Sequence, residues 1–366
     1  MTPLERDLRH RIALEGPLGL SDYMTLCLTH PEHGYYTTGH PVGGRASAER
    51  SGGDFITAPE VSQIFGELIG IWCIEMWQAL GSPAAINLVE LGPGRGTLMK
   101  DLLRAARSIP EFDRSAHVHL VEISPSLSEQ QSLTLSATKS ISWIRDLDDL
   151  PKRPTLIIAN EFLDALPFRQ WYKHEGQWLE RAVGLMNDAL TLVLRPGGLD
   201  PALLPKDHAE RPDGTLFETA PAREAFISRA AEWISLNSGA ALFIDYGHLE
   251  TGYGDTFQAV RNHAYASPLH DPGLADLTSH VDFEPLVATA KAEGCVVPRP
   301  VSQGEFLIQL GLLERAGALG ADKSAHIQNE LHKAVQRLAA GDQMGDLFKV
   351  MAIGAPDSLS ERFAGF

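Results

Sequence analysis

The chain has 366 residues, of which 44% are hydrophobic, and carries a formal charge of −16 from 47 acidic and 31 basic side chains. That length exceeds one typical domain and supplies enough apolar residues for a real core. The acidic balance argues against nucleic-acid binding, which uses basic footprints; no apolar run approaches a membrane span; and Cys27, Cys73 and Cys295, odd in number and far apart, indicate a reducing compartment rather than a disulfide framework.

Residues 1–28 read as helical, with a break at Gly16-Pro17-Leu18-Gly19. The stretch from Met1 to Arg11 carries Glu5 and Asp7 and lacks the apolar centre of a secretory signal. Residues 29–60 are rich in Gly and Pro and hold Gly34-Tyr35-Tyr36 and Gly52-Gly53-Asp54-Phe55. Long irregular segments of this kind are usually functional or disordered, and the aromatic residues favour an ordered lid. His30 and His33 lie close together there, but without a third ligand no metal site is expected. Residues 61–80 predict a helix whose stripe of Ile64, Phe65, Leu68, Ile69, Trp72 and Met76 belongs to the core. The sheet-and-helix core begins near Ala84. This divides the chain into an N-terminal helical and lid segment, 1–83, and a core, 84–366.

The apolar run from Ile86 ends in Glu90, and glycines follow at Gly92, Gly94 and Gly96 before an amphipathic stretch with Leu98, Leu102, Leu103 and Ala106. Strand, tight turn and helix in that order predict a parallel α/β sheet with a ligand across its carboxyl end. A phosphate-cradling loop would need Gly-Lys-Ser or Gly-Lys-Thr, and none follows. A dinucleotide turn would place its third glycine where Thr97 stands. Acid-x-Gly-x-Gly-x-Gly is instead the pattern of S-adenosylmethionine (SAM) methyltransferases. A cofactor without phosphate needs no helix amino end to neutralise one, and its ammonium and sulfonium suit an acid at a strand tip.

The next run, Val118–Val121, ends at Glu122, at the spacing of an acceptor for ribose hydroxyls; a solvated strand-end carboxylate is the plain alternative. After Ile141–Ile144 comes Asp146, a candidate acceptor for an adenine amino group, or else part of a solvated acidic loop with Asp148 and Asp149. Thr155–Ala159 reads as a buried parallel strand. Asn160, Glu161 and Asp164 then crowd polar groups at its carboxyl end, either as site residues or as helix N-cap and first-turn acid. The fifth run, Ala240–Ile244, ends in Asp245-Tyr246.

Between the fourth and fifth runs, residues 169–174, 177–185 and 190–194 predict a strand meander turning at Glu175-Gly176 and Asn187-Asp188, followed by a Pro-rich loop over 195–222. This insertion, about 168–222, reads as a substrate wall. Residues 223–236 predict a helix and 247–280 a long polar loop containing Arg261-Asn262-His263. Helices follow at about 281–293, 303–316 and 323–340, and Leu347–Ile353 closes the sheet.

Gly52–Gly66, Glu90–Thr97, Asn160–Pro167, Ile244–Gly247, Asp276–Phe283 and Gln303-Gly304-Glu305-Phe306 together resemble the MidA-type SAM-dependent methyltransferases, the family of the mitochondrial complex I assembly arginine methyltransferase. The resemblance runs over nearly the whole chain. It implies a class I, Rossmann-like seven-stranded α/β sheet with helices on both faces, and SAM contacts at Glu90, Gly92, Gly94 and Glu122. Gly96, Asp146 and Asn160 complete the expected cofactor set. The resemblance further implies methylation of an arginine on a core subunit of NADH:ubiquinone oxidoreductase, and the missing targeting extension implies a bacterial cytoplasmic homologue. For that chemistry Glu161 and Asp164 are the expected catalytic pair, gripping the guanidinium by paired hydrogen bonds. A small-molecule methyltransferase and a SAM-binding assembly factor are the alternatives.

Overall fold

The structure is a computed structural model that describes residues 1–37, 57–137, 141–261, 264–356 and 363–366. Most of the segment read as a lid, including Gly52-Gly53-Asp54-Phe55, lies outside the described residues, as do Asn262 and His263. The chain divides into two compact units. One gathers Met1–Phe55, Asp164–Ala225 and Glu250–His280; the other gathers Ile56–Leu163, Phe226–Leu249 and Val281–Phe366. Among the described residues no helix is long and apolar enough to cross a membrane.

The second unit is built on a mixed sheet. Its strands are β1 (Ile86–Leu91), β2 (Ala116–Val121), β3 (Ile141–Ile144), β4 (Thr155–Asn160), β5 (Gly239–His248), β6 (Val281–Asp282), β7 (Val301–Ser302) and β8 (Phe348–Gly354). Seven of them lie in the order β7-β8-β5-β4-β1-β2-β3, and two-residue β6 pairs with the end of β5. Strands β1 to β5 are mutually parallel, whereas β8 runs antiparallel to β5 and β7. The chain leaves β1 toward β2 and β3, then returns to the other side of β1 at β4. That reversal creates a switch point, where open α/β sheets bind ligands beyond the strand carboxyl ends. All six residues of β1 are buried, and β4 and β5 are buried over nearly their full length, as their continuous apolar runs require.

Helix α1 (Gln63–Ala79) is capped by Ser62, whose Oγ accepts the Ile64 N–H at 3.3 Å. Its predicted stripe is core: Ile64, Phe65, Leu68, Ile69 and Trp72 are fully buried. It packs closely on α2 (Thr97–Ala106), the helix after the glycine turn. A Cβ at Gly66 would stand 2.6 Å from Asp101 Cβ, and one at Gly70 2.8 Å from the Leu102 carbonyl oxygen. Glu67, buried between the same helices, accepts from Arg104 Nε and Arg315 Nε, both at 2.7 Å. Burial would raise its carboxyl, but the two guanidinium groups override that and hold it below the usual range.

The first unit carries helices Pro3–Glu15 and Leu20–Thr29, broken at Gly16–Gly19 as expected, packed with Phe168, Val183 and Leu277 in one apolar cluster. The meander is present as Arg169–His174, Gln177–Met186 and Ala189–Arg195. Two segments read as loop contain strands. Leu216–Thr219 pairs antiparallel with Arg169–His174, and Gln258–Arg261, Ala264–Ala266 and Asp276–Thr278 form a three-stranded sheet. These strands have three or four residues, too few for alternation to stand out among Pro and Gly. The helix expected over 303–316 is interrupted at Gly311 (φ 92°), giving Gln303–Gln309 and Leu312–Gly320.

Candidate functional site

Register aligns the carboxyl edge of the central strands. Leu91 pairs with Val121 and with Ala159, Val121 with Ile144, and Asn160 with Ile244. Gly92, Glu122 and Asn160 therefore each stand one residue beyond that row. The turn after β1 is made by glycines in the left-handed region, Gly92 (φ 57°), Gly94 (φ 52°) and Gly96 (φ 78°). Among the described residues a Cβ on Gly94 would meet nothing within 4 Å. Thr97 opens α2 and donates its hydroxyl to Glu60 Oε1 at 2.8 Å.

Glu90 is only 3% exposed, and its Oε2 has no hydrogen-bond partner among the described residues. Burial pushes its carboxyl up to about 8, against a lowering contribution from the Met99 backbone N–H. Glu122 is better served. Its Oε1 accepts the Ser124 N–H at 2.7 Å and its Oε2 accepts Gln131 Nε2 at 2.9 Å. Burial raises this carboxyl as well, and those bonds offset the rise in part. Asp146 differs from both. It is 46% exposed, pairs with Arg229 and accepts the Asp148 N–H at 3.0 Å, and the guanidinium foremost holds its carboxyl low.

At the end of β4, Asn160 Nδ2 donates to Glu161 Oε1 at 3.1 Å, while Asn160 Oδ1 is buried without a partner among the described residues. Glu161 is held in the left-handed region (φ 52°), costly for a side chain with a Cβ and a recurrent mark of functional loops. Its N–H donates to the Ile244 carbonyl at 2.9 Å and its Oε1 also accepts the Ala58 N–H at 3.3 Å. Asp245 has an internal task. Its carboxylate accepts the N–H groups of Phe162 at 3.1 Å, Leu163 at 2.9 Å and Tyr246 at 3.0 Å, which shapes the loop that carries Glu161.

Asp164 belongs to the first unit and is 5% exposed. Its carbonyl accepts the Ser279 N–H at 3.2 Å and Arg223 Nη2 at 3.2 Å. Arg223, itself buried, also donates to the Ser279 hydroxyl at 2.6 Å and to the His280 carbonyl at 2.6 Å. Tyr36 donates to Asp276 Oδ1 at 2.8 Å; burial first, then Asp276 and Asp164, drives its phenol well above the usual value. The sequence reading had no part for Arg223 or Gln131. Both act by long-range side-chain bonds that leave no local pattern.

Comparison with known proteins shows the family of the chain. Residues 68–301, well over half of the chain, match the family described as S-adenosyl-L-methionine-dependent methyltransferases. The chain belongs to that family. A human relative named protein arginine methyltransferase NDUFAF7, mitochondrial, is 38% identical over 381 residues, covering 96% of this chain and 83% of its own length. The zebrafish protein of the same name is 33% identical, covering 98% of this chain and 88% of its own. Among solved structures, a Burkholderia thailandensis protein bound to S-adenosyl-homocysteine superposes with a TM-score of 0.84 at 29% identity, covering 99% of this chain and 94% of that one. The seven-stranded order, with β8 antiparallel beside β5, agrees with the class I methyltransferase sheet that the family resemblance implies.

Proposed function

We propose that this methyltransferase modifies an arginine side chain of a protein, with a core subunit of respiratory complex I (NADH:ubiquinone oxidoreductase) as the first substrate to test. One observation carries the reading: relatives named protein arginine methyltransferase match 96% and 98% of the chain at 38% and 33% identity. The complex I substrate follows the MidA-type resemblance and the relatives' shared name. Three free cysteines, all buried, fit a reducing compartment, and we place the protein in a bacterial cytoplasm.

We assign the cofactor to the edge beside Gly92, Gly94 and Gly96. Two buried oxygens without a described partner, Glu90 Oε2 and Asn160 Oδ1, support the cationic amino-acid end there, since a buried acceptor left unpaired is costly. Glu122 takes the ribose hydroxyls with the acceptor sites left after Ser124 and Gln131. Asp146 takes the adenine amino group while keeping Arg229. When bound, SAM supplies an activated methyl group on a sulfonium.

The substrate guanidinium is protonated at any working pH, so its lone pairs are delocalised. Glu161 is a proposed carboxylate that localises its charge and aims one nitrogen, and Asp164 is the other candidate for that role. As the N–C bond forms and the C–S bond breaks, the proton lost from that nitrogen passes to a carboxylate and on to water. Mass spectrometry of complex I subunits from cells with and without this protein tests the substrate: an arginine methylated only in its presence is expected. A methylated small molecule with unchanged subunits would replace this reading. Glu161→Gln should lower turnover at least about a hundredfold and leave S-adenosylhomocysteine affinity within about threefold. An equal loss of both would remove Glu161 from the chemistry.

A further inference from the structure

Gln131 sits on α3 (Pro125–Thr134), fully buried, and every polar atom of its amide is used. Nε2 donates to the Gly94 carbonyl at 2.9 Å and to Glu122 Oε2 at 2.9 Å, and Oε1 accepts from Trp143 Nε1 at 2.9 Å. The indole can only donate, and the other two partners can only accept unless Glu122 is protonated. Reversing the amide would break all three bonds, so its orientation is fixed by its partners. One side chain thereby joins the turn after β1, the acid after β2 and a residue of β3.

We propose that Gln131 is a positioning residue for the cofactor site: it locks the carboxylate of Glu122 to the carbonyl of Gly94, so that acid and glycine turn hold the nucleoside as one rigid piece. The inference rests on the reading of Glu122 as ribose acceptor. Burial works against the charged form of Glu122, and an acceptor for two hydroxyls must be charged to use both oxygens. Gln131 supplies the side-chain hydrogen bond among the three that favour this form, beside the backbone N–H groups of Ser124 and Ile123, and it does so without a cation that would compete for the same oxygens. Trp143, 38% exposed at the sheet edge, serves as the stop that orients the amide.

The test uses calorimetry with S-adenosylhomocysteine, each variant compared with wild type at the same pH. Gln131→Glu sets a second carboxylate against Glu122 and the Gly94 carbonyl. Its dissociation constant should exceed wild type at least about tenfold near pH 8. The deficit should shrink as pH falls toward about 6, because a proton shared by the two carboxylates restores a donor. Gln131→Leu should lose affinity with no such recovery. A merely structural residue would show no difference in pH profile between these variants. Trp143→Phe, at an exposed ring, should keep the fold and weaken binding about threefold, and it decides the matter if the Gln131 variants fail to fold. Wild-type affinity in Trp143→Phe and any folded Gln131 variant, or a loss in Gln131→Glu that does not depend on pH, would overturn the role. Glu122→Gln separates the two readings. If it binds as wild type, the ribose assignment itself fails; if it alone weakens binding, only the positioning role fails.

Discussion

The helix clamp under α1 and the strand edge above β1 both bury glutamates, and they treat them in opposite ways. Glu67 lies between Arg104 and Arg315, and in the first unit Glu180 lies between Arg169 and Arg195. In both, paired guanidinium groups overcome burial and keep the carboxyl below its usual range. Glu90 is as well buried and Glu122 half-buried, but among the described residues they meet only N–H and amide donors, and both carboxyls are raised. A carboxylate whose acceptor sites are filled by arginine has no capacity left for a ligand. One that is desolvated and under-supplied carries an energetic cost that an incoming cation or hydroxyl relieves. The clamps hold the architecture, and the strand edge is where we assign SAM.

The largest expected effect comes from removing the under-supplied charge. Glu90→Gln should weaken S-adenosylhomocysteine binding about a hundredfold, or about 2.7 kcal/mol, and yet stabilise the free protein above neutral pH. The sign follows from the shift. The folded carboxyl, at about 8, lies above its unfolded value of 4.5, so the folded state binds more protons between those limits. Stability of the wild type therefore falls as pH rises through that window, and the deficit is complete above it. Thermal unfolding of wild type and variant at several pH values reads this directly: the slope should be smaller in Glu90→Gln, leaving what other raised carboxyls such as Glu122 contribute. Affinity should also rise with pH toward about 8 in the wild type, with a proton released on binding. A slope unchanged by the substitution would assign the titration elsewhere.

Glu67→Ala sharpens the contrast from the other side. It leaves Arg104 and Arg315 without their shared partner, but both are more than a third exposed, so the loss is moderate, about 2 kcal/mol. Its pH sense is reversed. A depressed carboxyl contributes stability above its unfolded value and loses it as pH falls through the folded one. Denaturant unfolding should show the loss, while cofactor affinity stays within about twofold. A large affinity loss in a folded Glu67→Ala protein would show that the clamp and the strand edge are coupled through α1 and α2.

This division between clamp and edge was only half legible in the sequence. Strand β1, its acid and the three glycines form a local pattern, and long apolar runs betray β4, β5 and β8 because those strands are buried over nearly their full length. The acids at the strand ends could be named, but their duties could not be sorted. Asp245 and Glu122 look alike in sequence, yet one is consumed by backbone N–H groups of the next loop and the other keeps spare acceptor sites. That distinction depends on partners 82 and 83 residues away for Asp245. The partners of Glu67 lie 37 and 248 residues away. Leu216–Thr219 and the three strands within 258–278 were missed for a different reason: they are short, and pairing rather than propensity defines them.

The smallest effects come from the turn, where the three glycines separate strain from ligand access. All three have positive φ, so an added Cβ costs about 1 kcal/mol of backbone strain at each. Their surroundings differ. At Gly92 a Cβ would stand 3.2 Å from Phe162 Cδ2 and at Gly96 3.4 Å from Leu135 Cδ1, whereas at Gly94 none of the described residues lies within 4 Å. Gly94→Ala should therefore lower stability by the strain alone, about 1 kcal/mol, and its methyl would enter the space assigned to the cofactor. Gly92→Ala and Gly96→Ala press on the protein's own side chains and should lose at least as much stability. The ratio of affinity lost to stability lost, from calorimetry and thermal unfolding on the three variants, should be greatest for Gly94→Ala. If instead Gly94→Ala binds S-adenosylhomocysteine as wild type does, the space beside it is not where the cofactor lies, and the role assigned to the turn has to move to another part of the edge.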